Sequence, residues 1–251
     1  MIYRPLGSTG LRCSLIGLGT VKLGRNSGVK YPTAFDLPSD AQALELLSAA
    51  KELGINLIDT APAYGESEAR LGQLLPQVAG DWVICSKVGE SWDGTQSRYD
   101  FTPEHAQQSI ERSLRRLGRE RLDVVLIHSN GEDRKIIENY GTLDALAALK
   151  SAGKIGAVGL SAKSAEGVML ACSAGADVVM ATLNPDYLEE QEAIAAAGEA
   201  GVGVMVKKAL ASGHLGAQAL SFVAAQAGVS TIVIGTLNTE HLRANCAAAC
   251  G

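Results

Sequence analysis

The chain has 251 residues, 47% of them hydrophobic, enough for one large core and suited to a single α/β barrel domain spanning residues 1–251. Its net charge of −5, with no basic cluster, argues against nucleic acid or an anionic membrane surface as a partner. Cys13, Cys85, Cys172, Cys246 and Cys250 are scattered, with no Cys-x-x-Cys spacing, which argues against a disulfide framework or a metal site and fits a reducing, cytoplasmic setting.

Taken in order, MIYRPLGSTGLRCS lacks the apolar core of a leader, and no apolar run is long enough to span a bilayer. Gly7-Ser8-Thr9-Gly10 signals a hairpin that would close the bottom of the domain. The strand CSLIGLGT leads into a polar loop holding Gly24, Arg25, Asn26 and Gly28. A helix is predicted over 39–53, capped by Ser39 or Asp40, with Ala43, Leu44, Leu47 and Ala50 on its apolar face. Strand then alternates with helix: INLI with 66–77, WVICS with a helix opened by Thr102-Pro103-Glu104, DVVLI with 135–152, and IGAVGL with 164–174. The last three units pair DVVMA with 187–200, VGVMV with 215–227, and STIVIG with a helix starting near Asn238 or Thr239. Near-continuous apolar strands mean burial on both faces, as in a parallel sheet covered by helices. An open doubly wound sheet would carry Gly-x-Gly-x-x-Gly after its first strand, but here LGTVKLG stands in that place. Eight units without that motif predict a (β/α)₈ TIM barrel with an N-terminal β-hairpin.

In such a barrel, catalytic residues gather where strands end. The second strand ends at Asp59, with Tyr64 in the loop beyond; the third ends at Lys87 and the fourth at His128. An ammonium near the phenol would favour the phenolate and lower its pKa. Asp59 would hold Lys87 charged, and His128 could donate to a carbonyl oxygen or join a proton relay. The set suits protonation of a developing alkoxide. It lacks a nucleophile–base pair, and hydride must come from a cofactor because no side chain can supply it.

Five stretches, RPLGSTGLRCSLIGLGT, NLIDTAPAYGESEARLG, SLRRLGRERLDVVLIH, KIGAVGLS and VIGTLNTEHLRAN, resemble the aldo-keto reductases over nearly the whole chain. The resemblance implies NAD(P)H-dependent reduction of aldehydes or ketones. Tyr64 would be the general acid–base, Lys87 its modulator, Asp59 the partner of Lys87 and His128 the carbonyl-orienting group. It further implies Gly19 and Thr20 near the nicotinamide and Ser161 on its carboxamide. The usual asparagine after that serine is Ala162, the glutamine ending the sixth strand is Met180, and the stacking aromatic after the seventh is replaced by Lys207 and Lys208. Those lysines could bind a pyrophosphate. Leu210 and Gly213 match the family's loop, and Gly235, Thr236, Asn238, His241 and Asn245 match its adenosine end. The resemblance implies NADPH as coenzyme, and because Arg243 points away from the face of His241 and Asn245, discrimination against NADH is expected to be weak. Trp92 and Asn130 are candidates to line the substrate site. The chain stops at Gly251 after its eighth helix, so an open, shallow pocket is expected. The expected partner is a small carbonyl compound, with the protein a monomer or weak oligomer. Two other readings use the same residues: a Schiff-base aldolase with Lys87 as nucleophile, and a nicotinamide-binding regulatory or sensor barrel with little turnover.

Overall fold

The computed structural model describes residues 1–251 and closes eight parallel strands into a barrel. The chain enters through the expected hairpin, β1 (Tyr3–Pro5) against β2 (Arg12–Ser14). Next come β3 (Ile16–Gly19), the one-turn α1 (Val21–Gly24), α2 (Asp40–Glu52), β4 (Leu57–Asp59), α3 (Ser67–Leu74) and β5 (Val83–Val88). A second hairpin, β6 (Glu90–Trp92) with β7 (Ser97–Tyr99), stands on the loop after β5. It is followed by α4 (Pro103–Leu117), β8 (Leu122–His128), α5 (Asp133–Asn139), α6 (Thr142–Ser151), β9 (Ile155–Ser161) and α7 (Ala165–Ser173). The rest is β10 (Val178–Thr182), α8 (Gln191–Glu199), β11 (Gly203–Lys207), α9 (Gln218–Ala224), β12 (Thr231–Ile234) and α10 (Thr239–Cys250). Around the ring β3, β4, β5, β8, β9, β10, β11 and β12 pair in sequence, and β12 returns to β3. No helix is long and apolar enough to cross a membrane.

Alternation along each strand divides the core in two. One set of side chains (Ile58, Ile84, Val125, Ile127, Val179, Val206) faces the helices in a large apolar layer. The other set (Leu57, Cys85, Val124, Leu126, Ala157, Val178, Met180, Met205) fills the barrel and is joined from below by Leu6 and Cys13 of the first hairpin. That hairpin is therefore the barrel's floor.

The helices depart from the sequence reading in three places. The single helix predicted over 135–152 is two, because Gly141 adopts a left-handed conformation (φ 71°) that ends one and starts the next. The helix predicted over 187–200 begins only at Gln191, after a turn in which Asn184 and Tyr187 bond each other's backbone. That predicted over 215–227 shrinks to Gln218–Ala224. The cap on α2 is as read: Ser39 accepts from Gln42 N while the Gln42 side chain accepts from Ser39 N. Its buried face also takes in Leu46 and Ala49, and Leu44 sits at the edge.

Leu6 has no solvent exposure and closes the inner layer, so Leu6→Ala should leave a cavity that the surrounding strands cannot collapse into. The expected loss is about 2–5 kcal/mol, read as a lowered urea midpoint with an unchanged slope.

Candidate active site

The alternation that fills the barrel also selects what stands at its mouth. Two residues beyond the inward Leu57 comes Asp59; beyond Cys85, Lys87; beyond Leu126, His128; beyond Ala157 and Gly159, Ser161; and beyond Met205, Lys207. Each of these polar side chains lies on the inner face at the last residue of its strand, or for Lys87 the last but one.

Lys87 is 1% exposed and Asp59 2%. Lys87 Nζ lies 2.6 Å from Asp59 Oδ1, 3.0 Å from the Thr60 carbonyl and 3.1 Å from the Tyr64 hydroxyl, which uses all three ammonium donors. Tyr64 sits at the end of a short 3₁₀ turn, Pro62–Tyr64, whose path is fixed by close backbone contact. Gly24 O accepts from Glu66 N, and a Cβ on Gly24 would stand 2.3 Å from Tyr64 O and 2.1 Å from Ser67 N. Thr20 Oγ1 donates to Asp59 O (2.9 Å) and accepts from Ser67 Oγ (2.8 Å), so β3 and β4 are locked behind the pair.

The sequence reading expected the phenol pKa to be lowered. Burial, with Asp59 second, outweighs Lys87 and holds it above its ordinary value. Tyr64 therefore carries its proton at neutral pH. The phenol oxygen accepts from Lys87 at 3.1 Å, and its hydroxyl donates to Asp59 Oδ2 across a long 3.4 Å, so the proton is weakly held within the protein. Lys87 itself is held charged, with its pKa raised by Asp59 and Tyr64 against desolvation by burial. That opposes the Schiff-base reading, which needs the neutral amine.

His128 packs edge-on to Tyr64, ring centroids 6.2 Å apart. Its Nδ1 is 2.8 Å from Glu90 Oε2, close but bent away from the line of a regular hydrogen bond. Glu90 belongs to the β6–β7 hairpin, which the sequence reading missed; the turn signal was Asp93-Gly94 between short alternating segments. Trp92 lies on the same strand with the Arg25 guanidinium 3.5 Å over its ring. Asn130 folds back into a turn with Glu132, accepting from its N–H and donating to its carboxylate, so its amide is committed locally.

Lys207 and Lys208 do not act as a pair. Lys207 turns into the mouth, where Nζ donates to Ser161 Oγ (3.1 Å) and to the Ala162 carbonyl. Lys208 is exposed in a left-handed conformation (φ 56°), the first of three non-glycine residues of that kind with Ala211 (φ 46°) and Ser212 (φ 61°). The Lys208 pKa is lowered by burial first and then by the nearby charges of Lys30 and Lys163, with Glu190 opposing. Burial drives the Lys207 pKa down to about 7, with Glu190 opposing the shift. Met180 lies in the inner layer below the mouth.

Among the other candidates, Gly19 and Gly235 face each other at the ends of β3 and β12: a Cβ on Gly235 would come 3.4 Å from Gly19 O and 3.3 Å from the Tyr31 hydroxyl. A side chain at Gly235 would therefore crowd the Gly19 carbonyl and the Tyr31 hydroxyl. Leu210 is half-buried, and Gly213 packs near Pro32 of the loop that crosses from β3. Thr236 Oγ1 accepts from Asn238 N, and Asn238 caps α10 by accepting from Glu240 N and His241 N. Those two N–H groups are thus satisfied within the chain and are not free for an anion. His241 is exposed and Asn245 buried; Arg243 lies 3.1 Å from Glu240 and 3.7 Å from Glu52.

A model of the aldo/keto reductase family matches residues 15–218. The chain is 34% identical over 165 residues to L-galactose dehydrogenase of Arabidopsis thaliana, covering 63% of this chain and 47% of that protein. It is 30% identical over 227 residues to the NADH-specific methylglyoxal reductase of Escherichia coli, covering 84% of this chain and 68% of that one. The chain thus spans about half the length of the first relative and two thirds of the second. A solved structure from Pseudomonas aeruginosa, classed as an aldo-keto reductase, superposes with a TM-score of 0.90 at 49% identity, over 99% of this chain and 94% of that one.

The lowered Lys207 pKa has a consequence for stability. The folded chain releases this proton near pH 7 while the unfolded chain holds it to about 10.5, so the cost of burying the charge is full below pH 7 and is relieved as pH rises between those values. Lys207→Met should therefore gain stability over the wild type at pH 6, and the gap should shrink by pH 9, as measured by urea unfolding at both.

Proposed function

The chain belongs to the aldo/keto reductase family, and from that premise we propose that it reduces a small aldehyde or ketone to the alcohol, with Tyr64 as proton donor. One observation carries this reading: the Tyr64 hydroxyl is held 3.1 Å from a buried Lys87 ammonium that Asp59 keeps charged. A phenol so placed is protonated before reaction. It gives up that proton only when a stronger base, such as an alkoxide, develops beside it. Lys87 then faces a phenolate, and the positive charge that Asp59 fixed there stabilises it without rearrangement. His128, at the edge of the Tyr64 ring, is suited to hold the carbonyl oxygen.

The residues around the mouth fit a nicotinamide dinucleotide, which when bound supplies the hydride. Gly19 and Gly235 would leave the strand ends bare of side chains against a flat group, and Ser161, held by Lys207, would offer a hydroxyl. On the rim, Lys208 with Lys30 and Lys163 favours an anion. Leu210, Gly213, Thr236, Asn238, His241 and Asn245 would line the remainder, and Thr20 would act from behind through Asp59. Trp92 is proposed at the substrate side.

Tyr64→Phe should cut turnover by about 10²-fold or more while leaving coenzyme affinity nearly unchanged, because the hydroxyl acts on charge that develops only in the transition state. Steady-state kinetics with an aldehyde panel, together with fluorescence titration of coenzyme, would check this; a variant retaining most of its turnover would sink the assignment.

NADPH is proposed as the working coenzyme. No fixed arginine or lysine stands on the exposed start of α10, since Arg243 is engaged by Glu240 and Glu52, so the margin over NADH should be no more than about 2 kcal/mol, roughly 30-fold. Dissociation constants for both reduced coenzymes measure it directly, and a preference above a thousandfold or in favour of NADH would contradict this reading.

A further inference from the structure

Glu90 is the one carboxylate that meets His128. It is 9% exposed, and three neighbours keep it in place: Ser97 Oγ donates to its Oε1 at 2.5 Å, the Arg25 guanidinium is 4.0 Å from the same oxygen, and His128 Nδ1 is 2.8 Å from the other. Ser97 lies across the hairpin from Glu90, while Arg25 comes from the loop after α1, where it also donates to Ala63 O beside Tyr64. Ser97 donates a hydrogen bond to the carboxylate while His128 and Arg25 stand against it, and against desolvation these neighbours hold its pKa down at about 2.

An imidazole has one proton to share between two nitrogens when neutral, and the neighbour of one nitrogen decides where it sits. With a permanent carboxylate against Nδ1, the neutral ring carries its proton there and Nε2 is an acceptor. An acceptor cannot donate to a carbonyl oxygen.

We propose that Glu90 is a positioning residue for His128: its carboxylate fixes the neutral ring's proton on Nδ1, so that Nε2 donates to a substrate oxygen only in the imidazolium form that Glu90 stabilises. The proposal rests on the carbonyl-reductase reading above. Other charges around the ring act in the opposite direction. Burial disfavours the imidazolium most, Lys87 from β5 and Lys207 from β11 repel it, and Tyr64 meets the ring by its edge without a charge. Glu90 is what offsets them. Carbonyl reduction should then decline as pH rises through the titration of His128, while Tyr64 and Lys87 keep their protons.

The test uses protein with nitrogen-15 in its histidines, of which there are four, His128 being assigned from its loss in His128→Gln. Two results are expected. Neutral His128 should show the Nδ1–H tautomer, and Glu90→Gln should move its titration down by about one pH unit or more. The alkaline limb of kcat/KM for aldehyde reduction should move down by the same amount, with coenzyme dissociation constants unchanged. A carboxylate that merely braced the hairpin would change neither tautomer nor limb. An Nε2–H tautomer in the wild type, or a His128 titration unmoved in Glu90→Gln, would overturn the proposal, and the wild-type tautomer alone decides if the variant does not fold. If the wild type reduces no carbonyl at any pH, the functional reading fails, and the nitrogen shifts still report on the pairing separately.

Discussion

The barrel mouth is built around the ion pair of Lys87 and Asp59. An ammonium 1% exposed is costly to desolvate, by several kcal/mol, unless its donors are all met. Here they are met by three different groups, a carboxylate, a backbone carbonyl and a phenol. The first two are rigid parts of β4 and its loop, so the third, Tyr64, stands where the geometry of the first two directs the remaining N–H. Removing either member of the pair would leave the other buried and uncompensated, which costs about 3–5 kcal/mol. Fold stability and the orientation of the phenol are thus set by one interaction.

Two layers of opposite sign surround that pair. Behind His128 the β6–β7 hairpin supplies Glu90, and Arg25 ties that hairpin to the Tyr64 loop through Ser97 and Ala63. Across the mouth Lys207 is turned inward onto Ser161 and the Ala162 carbonyl, while Lys208 is exposed and feels the charges of Lys30 and Lys163. A ligand with an anionic tail and a polarisable oxygen would find favourable potential at both ends. The strained backbone at Lys208, Ala211 and Ser212 follows directly on Lys207, and such conformations persist where surrounding structure fixes them.

Much of this could be read in the residues themselves because strand period is rigid. Once WVICS and LDVVLI are taken as barrel strands, the inward parity of Cys85 and Val124 carries Lys87 and His128 to the mouth without further information. What eluded the sequence depended on backbone torsions and on burial. The break at Gly141 looks like one interruption in an apolar helical pattern until its left-handed φ is seen. Adjacent Lys207 and Lys208 look like a charge pair, but strand parity turns the first inward and a left-handed residue turns the second away. The direction of the Tyr64 shift needed the balance of burial and Asp59 against Lys87, which no spacing reveals. Glu90 was hidden in a short hairpin whose turn, Asp93-Gly94, reads in sequence as part of a longer polar loop.

The central claim is that hydride arrives at a carbonyl carbon while Tyr64 protonates its oxygen. Incubation with an aldehyde and reduced coenzyme deuterated at one face of nicotinamide C4, each face in turn, followed by mass spectrometry of the alcohol, tests it most directly. One face should deliver a single deuterium to the carbinol carbon and the other none. An alcohol without label from either face, or no alcohol at all across a broad set of aldehydes and ketones, would contradict the account.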